Sequence, residues 1–219
     1  MEKLIITCCV FREREFWGPP EARVNMPKTI REVADSIRGA RDAGAAVVHV
    51  HVPETTGGSQ NSPFIREKYL ELLRLIRQTD VIYEYRGPGP FQCGYAGRKG
   101  TGDWETRLKE WREIDLGDDK PDMVVCILGA QHWDGGETQH YVMPTLPELE
   151  SHMKYMLEKN VKPEFEVWGA NSMYNLKHLI KKQLVKPPYW LELFLGASGS
   201  TSSPANLEEL LYMTKRVPE

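Results

Sequence analysis

The sequence lacks the excess of positive charge that nucleic-acid-binding proteins use. Its 28 lysines and arginines are outnumbered by 31 aspartates and glutamates, so the formal net charge is -3. Such a balance provides no basic footprint for nucleic acid or for an anionic membrane. No apolar run reaches the roughly 18 residues that a membrane-spanning helix needs. We therefore expect neither nucleic acid nor a membrane as the main partner.

Cysteine is scarce as well. The chain has four cysteines, none of them in C-x-x-C spacing, and the neighbours Cys8 and Cys9 would point to opposite faces of a strand. This usage fits a reduced, cytoplasmic protein. The N-terminal MEKLIITCCVF continues into RERE where a signal peptide would have small residues, so we interpret it as a first strand.

Short apolar runs alternate with amphipathic stretches along the chain. The runs are nearly continuous in apolar character, as is typical of parallel strands covered on both faces. They predict strands at residues 4–10, 46–52, 81–85, 123–128, 163–168 and 190–195. Helical patterns predict helices at residues 29–43, 64–78, 105–114, 146–160, 172–182 and 206–215. Thr29 with Glu32, and Thr145 with Glu148, have the spacing of capping boxes.

This alternation predicts an α/β fold. Six successive strand-then-helix units imply right-handed crossovers and a parallel sheet. Both a (β/α) barrel and an open doubly wound sheet are compatible with it, and both place function at the carboxyl ends of the strands. An eight-unit barrel typically needs about 250 residues, whereas we find six units in 219 residues. We predict one domain, residues 1–219.

Two histidines stand at the end of the second predicted strand, GAAVVHVHV. Alternate residues of a strand share a face, so His49 and His51 are expected to point the same way. Neutral imidazole is a preferred ligand of zinc and similar divalent ions. The pair is therefore either half of a metal site or two rim histidines hydrogen-bonded to loop carbonyls.

Several stretches resemble, in order, the β-keto acid cleavage enzyme family, whose members include 3-keto-5-aminohexanoate cleavage enzyme. They are LIITCCV, GAAVVHVHV after an AR-AG helix end, KPEFEVW, and PYWLELFLGASGS with SPANLEELLYM. The resemblance implies a TIM-type barrel, with about six of eight βα units present and the C-terminal part missing. It also implies a divalent metal, usually zinc, held by His49 and His51. Such enzymes convert a β-keto acid and acetyl-CoA into acetoacetate and a new acyl-CoA.

The same resemblance implies roles for acidic residues. Glu166 matches the family's glutamate on strand five, while Glu13 and Glu15 lie near a substrate-contacting glutamate that follows strand one. We predict Glu166 and Glu13 as catalytic residues and Glu15 as substrate-binding. A carboxylate within a parallel sheet is costly unless paired, and a structural salt bridge remains the alternative for Glu166. Glu84 and Glu192, also on predicted strands, raise the same question.

The chain departs from the family pattern in places that bear on the substrate. The family's glutamate metal ligand, in a G-x-E-D stretch that ends strand eight, has no counterpart here. Strand three leads into YEYRGPG, so Tyr85 and Arg86 replace small hydroxyl residues. We predict that Arg86 anchors a substrate carboxylate by bidentate pairing, with Tyr85 beside it.

Two further loops follow predicted strands. Arg98 and Lys99 lie in a glycine-rich loop and are predicted to contact a phosphate of CoA, although a mobile lid is an alternative. His132, Asp134 and His140 lie after strand four. They would supply a local third metal ligand, or else belong to a solvated loop.

Three functional hypotheses follow. The first is a metal-dependent enzyme of the β-keto acid cleavage type, a transferase. The second is a catalytically incomplete barrel whose open strand edges need a partner chain or a homo-oligomer to cover them. The third is a metal-dependent lyase or hydrolase with a different substrate.

Overall fold

The computed structural model describes residues 4–10, 26–51, 66–86, 117–134, 139–142, 144–197 and 200–218, with the backbone alone at residues 51, 132–134 and 139–142. The strands are β1 Thr7–Val10, β2 Val47–His51, β3 Ile82–Arg86, β4 Met123–Ile127, β5 Gln131–Asp134, β6 Gln139–Val142, β7 Lys162–Val167 and β8 Trp190–Leu193. The helices are α1 Ile30–Asp42, α2 Arg66–Ile76, α3 Leu146–Lys159, α4 Ser172–Lys181 and α5 Leu207–Thr214.

The six strands predicted from apolar runs are confirmed as β1 to β4, β7 and β8. Five predicted helices are confirmed over their described residues, and the sixth, at residues 105–114, lies outside them. The α/β class is therefore confirmed. Among the described residues, none of the helices combines the length and the hydrophobicity that crossing a membrane requires.

Both predicted capping boxes are present. In α1 the Thr29 hydroxyl accepts a hydrogen bond from the Glu32 amide (3.2 Å), and Glu32 accepts one from the Thr29 amide (2.9 Å). The amide of Lys28 also donates to Glu32, and these backbone donors lower the pKa of the carboxyl group. The box of α3 uses Thr145 and Glu148 in the same way. These contacts satisfy amides that the first turn of a helix leaves without intrahelical partners.

The structured chain divides into two compact units, of which the first comprises Met1–Gly89 and Asp115–Val124. Its parallel strands follow the order β1, β2, β3 and then the beginning of β4. Helix α1 packs against β1 and α2. The core of this unit is formed by apolar side chains that are almost fully buried, among them Val33, Ile37, Val47, Val48, Leu72 and Ile76.

A polar clamp joins α2 to the start of β3 and β4 in this unit. Asp122 accepts hydrogen bonds from the Arg77 guanidinium (2.7 Å) and from the amide of Tyr83 (2.8 Å). Arg77 also donates to the carbonyl of Lys120 at 3.0 Å. The clamp lies at the amino ends of the strands, the side of α/β folds associated with stability and not with chemistry.

The second unit comprises Pro90–Ile114 and Val125–Glu219. Its strands follow the order β4, β7, β8, with β7 and β8 parallel. Helix α3 packs against β7 and α4. The core consists of fully buried side chains that include Leu128, Leu149, Met153, Phe165, Leu176 and Leu179. The prediction of a single domain over residues 1–219 stays a prediction.

The stretch after β4 differs from the expected solvated loop. Strands β5 and β6 pair in antiparallel fashion, with residue 132 opposite residue 141 and residue 133 opposite residue 140. The long-loop interpretation missed this hairpin because each strand has only four residues.

Candidate functional site

A buried histidine and a buried glutamate face each other across β2 and β3. The parallel register sets His49 opposite Glu84. Their side chains meet at 2.9 Å between His49 Nδ1 and Glu84 Oε1, and the two residues are 8% and 0% exposed. A pair this close in an apolar interior is strongly coupled, because little water screens the charge of the carboxylate.

This contact determines which ring nitrogen of His49 carries the proton and which carries the lone pair. When Glu84 is ionised, it accepts a hydrogen bond from Nδ1–H, and Nε2 is then the ring nitrogen that carries the lone pair. Carboxylates hold metal-binding histidines in this tautomer. His49 and Glu84 each also offer one potential ligand atom of their own. An imidazole nitrogen and a carboxylate oxygen belong to the donor types that zinc accepts, so the residues present fit a divalent ion.

The second predicted metal ligand, His51, is described by its backbone. It ends β2 and pairs with Arg86 of β3. Its side chain lies outside the described part of the structure, so metal binding by both histidines stays a prediction. Arg86 is half-buried at the carboxyl end of β3, the end at which the sequence predicted function.

The opposite face of β3 is aromatic. Tyr85, predicted to bind substrate, is 1% exposed and meets Tyr69 of α2 edge-on with 5.5 Å between ring centroids. Tyr83 contacts Tyr85 in a similar geometry at 6.4 Å. Burial raises the pKa of the Tyr69 and Tyr83 phenols, so both remain neutral. Because adjacent strand residues point to opposite faces, Tyr85 lies on the side of the strand away from Glu84.

In the second unit, the predicted catalytic Glu166 lies on β7 and is 1% exposed. Its Oε2 accepts a hydrogen bond from the indole Nε1 of Trp168 at 2.9 Å. The sequence left open a salt bridge to lysine or arginine, whereas this contact comes from a neutral donor. The indole N–H satisfies part of the hydrogen-bonding capacity of the buried carboxylate without neutralising its charge.

A second glutamate–indole pair lies beside the first. Glu164 of β7 stands opposite Trp190 of β8, and its Oε1 accepts a hydrogen bond from the indole Nε1 of Trp190 at 3.0 Å. Glu192 stands opposite Glu166. Sequence reasoning singled out Glu166 and Glu192 and missed the tryptophans, although the period of two in E-F-E-V-W is the signal that sets residues 164, 166 and 168 on one face.

The remaining predicted site residues fall outside what the structure describes. Glu13, Glu15, Arg98 and Lys99 belong to undescribed stretches, and His132, Asp134 and His140 are described by their backbone alone. Their roles stay predictions.

Comparison with known proteins gives a consistent result. A family model described as beta-keto acid cleavage enzyme matches residues 3–219. The 3-keto-5-aminohexanoate cleavage enzyme of Acetoanaerobium sticklandii is 28% identical over 218 residues, which cover 100% of this chain and 71% of the relative. A 3-dehydrocarnitine:acetyl-CoA trimethylamine transferase of Rhizobium meliloti is 26% identical over 89% of this chain and 65% of its own length.

Among solved structures, a binary complex of ObcA with oxaloacetate aligns with a TM-score of 0.59 at 18% identity. The alignment covers 78% of this chain and 37% of the ObcA chain, so this chain spans little more than a third of that protein. At this level of identity the similarity concerns the fold, and it confirms the TIM-type α/β class.

Proposed function

Because the chain belongs to the β-keto acid cleavage enzyme family, we propose that it catalyses metal-dependent acyl transfer between a β-keto acid and acetyl-CoA. The resemblance found in the sequence motifs is confirmed by this membership. In the proposed reaction the C2–C3 bond of the keto acid and the thioester bond of acetyl-CoA break. The acetyl group joins the carboxymethyl fragment as acetoacetate, and the remaining acyl group forms a thioester with CoA, with no net oxidation.

The observation that carries the proposal is the buried contact between His49 and Glu84 across the middle of β2 and β3. Glu84 holds the imidazole through Nδ1 and keeps Nε2 as a lone-pair donor. In the proposal, His49 and His51 hold a divalent ion, with zinc as the first ion to test. Such an ion supplies Lewis-acid polarisation of the keto oxygen.

Glu166 is proposed to move the proton that bond cleavage and bond formation require. It lies on a strand, which fixes its position, and burial in an apolar sheet favours proton exchange with a bound substrate over exchange with water. Arg86 is proposed to pair with the substrate carboxylate from the end of β3. Glu13 and Glu15 keep their predicted roles in this proposal, as do Arg98 and Lys99 toward CoA, whereas Tyr85 is buried against Tyr69 on the face of β3 away from Glu84 and is left out of it.

Names of relatives suggest the substrates to try first. They act, by name, on 3-keto-5-aminohexanoate, on 3-dehydrocarnitine and on 3,5-dioxohexanoate. We propose a β-keto acid of this size for the present chain. A cytoplasmic location and assembly into a homo-oligomer are part of the same proposal.

The test combines metal analysis with an activity assay. The purified chain is analysed for zinc and other divalent metals, and acetoacetate release is measured with acetyl-CoA and the three keto acids. We expect about one metal ion per chain, lost in His49→Ala and His51→Ala together with activity. His178→Ala, a histidine on α4, is the matched control and should keep both.

Three results would contradict the proposal. A metal-free wild-type chain that releases acetoacetate would remove the role of the metal. A metal-loaded chain that is inactive on every keto acid would favour the lyase or hydrolase hypothesis, and loss of metal from His178→Ala would show that the effect is not specific to β2.

A further inference from the structure

One face of β7 and β8 carries mainly acidic and aromatic side chains, after Lys162 at the start of β7. The period of two along each strand sets these residues on one face, and the register sets them opposite one another: Glu164 with Trp190, and Glu166 with Glu192, followed by Trp168 and Phe194. The indole of Trp190 donates to Glu164 within its row, and the indole of Trp168 donates along β7 to Glu166. The two indoles differ in how firmly they are held.

Trp168 is the more constrained of the two indoles. Its ring stacks on Phe194 with 4.2 Å between centroids and 8° between planes, and the residue is 6% exposed. Trp190 is only half-buried. An offset or parallel stack at this distance restricts rotation about both side-chain bonds of the tryptophan. The Nε1 proton of Trp168 is therefore directed at Glu166 Oε2 by packing as well as by the hydrogen bond itself.

The backbone around the stack is also fixed. The amide of Phe194 donates to the carbonyl of Val167 (3.0 Å), and the amide of Ser203 donates to the carbonyl of Trp168 (3.2 Å). The amide of Gly196 donates in turn to the carbonyl of Ser203 (2.7 Å). The chain after β8 therefore holds the end of β7, and the indole starts from a defined backbone position.

We propose that Trp168 is a positioning residue for Glu166, an inference that rests on the proposed role of Glu166 in proton transfer. The indole N–H holds Oε2 and so fixes the orientation of the carboxylate on β7. Indole nitrogen is a donor only, with no lone pair and no titration in the working range, so it orients the carboxylate without competing as a base. A lysine at position 168 would form an ion pair with Glu166 and would neutralise the charge of the carboxylate.

Other groups around Glu166 act on its protonation too. Lys162 and Glu164 lie on the same face of β7, and Glu192 stands opposite on β8. The neighbouring β4 carries no charged side chain between Met123 and Leu128. Like charges raise the proton affinity of a carboxylate, and a hydrogen bond to the ionised form lowers it. Trp168 therefore opposes the effect of its acidic neighbours, and its removal should be visible in the titration of Glu166.

The test follows the carboxyl carbon of Glu166 by NMR in protein labelled with [5-13C]glutamate, with the signal assigned by its absence in Glu166→Gln. Trp168→Phe keeps an apolar ring against Phe194 and removes the donor. We expect the titration midpoint of Glu166 to move up by about one pH unit. Trp190→Phe, which removes the indole of Glu164, is the matched control and should move it by much less.

A second variant keeps the test decisive if Trp168→Phe does not fold. Phe194→Leu retains both indoles and loosens the stack, so it should shift the midpoint in the same direction by a smaller amount. An unchanged midpoint in every folded variant, or an equal shift in Trp190→Phe, would overturn the positioning role.

Kinetics separate this inference from the proposed function. Trp168→Phe should lower kcat about tenfold with KM changed less than threefold, because orientation of the base affects the chemical step. Full activity in Glu166→Gln would refute the proposed base and would leave the NMR result standing. Inactive Glu166→Gln with fully active Trp168→Phe would refute the positioning role and leave the base.

Discussion

Two histidine–glutamate pairs of nearly the same length occupy different surroundings in this chain. His49 meets Glu84 at 2.9 Å between two strands, with side-chain exposures of 10% and 0%. His178 meets Glu150 at 2.7 Å between α4 and α3, with exposures of 32% and 20%. Distance alone does not distinguish them. The two pairs differ in their exposure to solvent and in the side chains that surround them.

The outer pair has a permanent cation beside it. Lys182 donates to the same Glu150 oxygen at 2.8 Å, and hydrogen bonds from His178 and then Lys182 lower the pKa of Glu150. Such a group joins two helices and needs no further ligand. Around the inner pair, burial makes an uncompensated charge costly. This comparison shows that a cation of the protein stabilises one pair, whereas we propose that an ion from solution completes the other.

The largest expected effect is on metal affinity. Glu84→Gln replaces a charged acceptor by an amide, so the imidazole of His49 is held less firmly and is less basic. We expect zinc affinity to fall about 10- to 100-fold, measured by competition with a chromophoric chelator.

Glu150→Gln makes the same substitution in the outer pair and should leave zinc affinity unchanged. Equal affinities of Glu84→Gln and the wild type would remove the distinction between the two pairs.

An intermediate effect, on the free energy of unfolding, is expected when the indole of a glutamate–indole pair is removed. Trp190→Phe removes the donor to Glu164 and should lower the free energy of unfolding by about 1.5 kcal/mol, the low end for a bond to a charged group. The value is small because water reaches the half-buried β8. Urea unfolding followed by circular dichroism measures it.

Tyr174→Phe on α4 changes an exposed aromatic residue and is the control, with no expected change. A loss in Trp190→Phe no larger than in this control would mean that the indole contact contributes nothing to folding.

The smallest effect is expected at Glu150, and it depends on pH. The pKa of Glu150 in the folded chain lies below the ordinary 4.5, so its contacts stabilise the fold above pH 4.5. That stabilisation is lost as the pH falls through the lowered pKa.

Thermal unfolding of Glu150→Gln should therefore begin slightly lower than that of the wild type at pH 7, and the two curves should converge in acid. A difference that grows in acid would have the wrong sign and would contradict the assignment of the cause.

Much of the fold is predictable from local patterns. The apolar runs of β2 and β4 and the capping boxes at Thr29 and Thr145 are signals contained within a few residues. The hairpin of β5 and β6 was missed because two strands of four residues are too short for a periodic pattern to be distinguished from a loop.

The site is less predictable, since its contacts join distant parts of the chain. His49 was singled out from its spacing, but its partner Glu84 is 35 residues away and is identified only by the register of β2 and β3. The sequence identified Glu166 by resemblance, whereas Trp168, the last residue of the same KPEFEVW stretch, was given no role. A stack with Phe194 depends on the alignment of β7 with β8, which local propensity does not encode.

That alignment restricts how the segment between β7 and β8 can diverge. Because side chains alternate along a strand, one inserted or deleted residue just before Trp190 would present Leu191 and Leu193 in place of Trp190 and Glu192. Point substitutions on this face can occur one at a time. A change of length would instead replace Trp190 and Glu192 together. Natural variants and engineered libraries should therefore vary in residue type on β8 and conserve the spacing that leads into it.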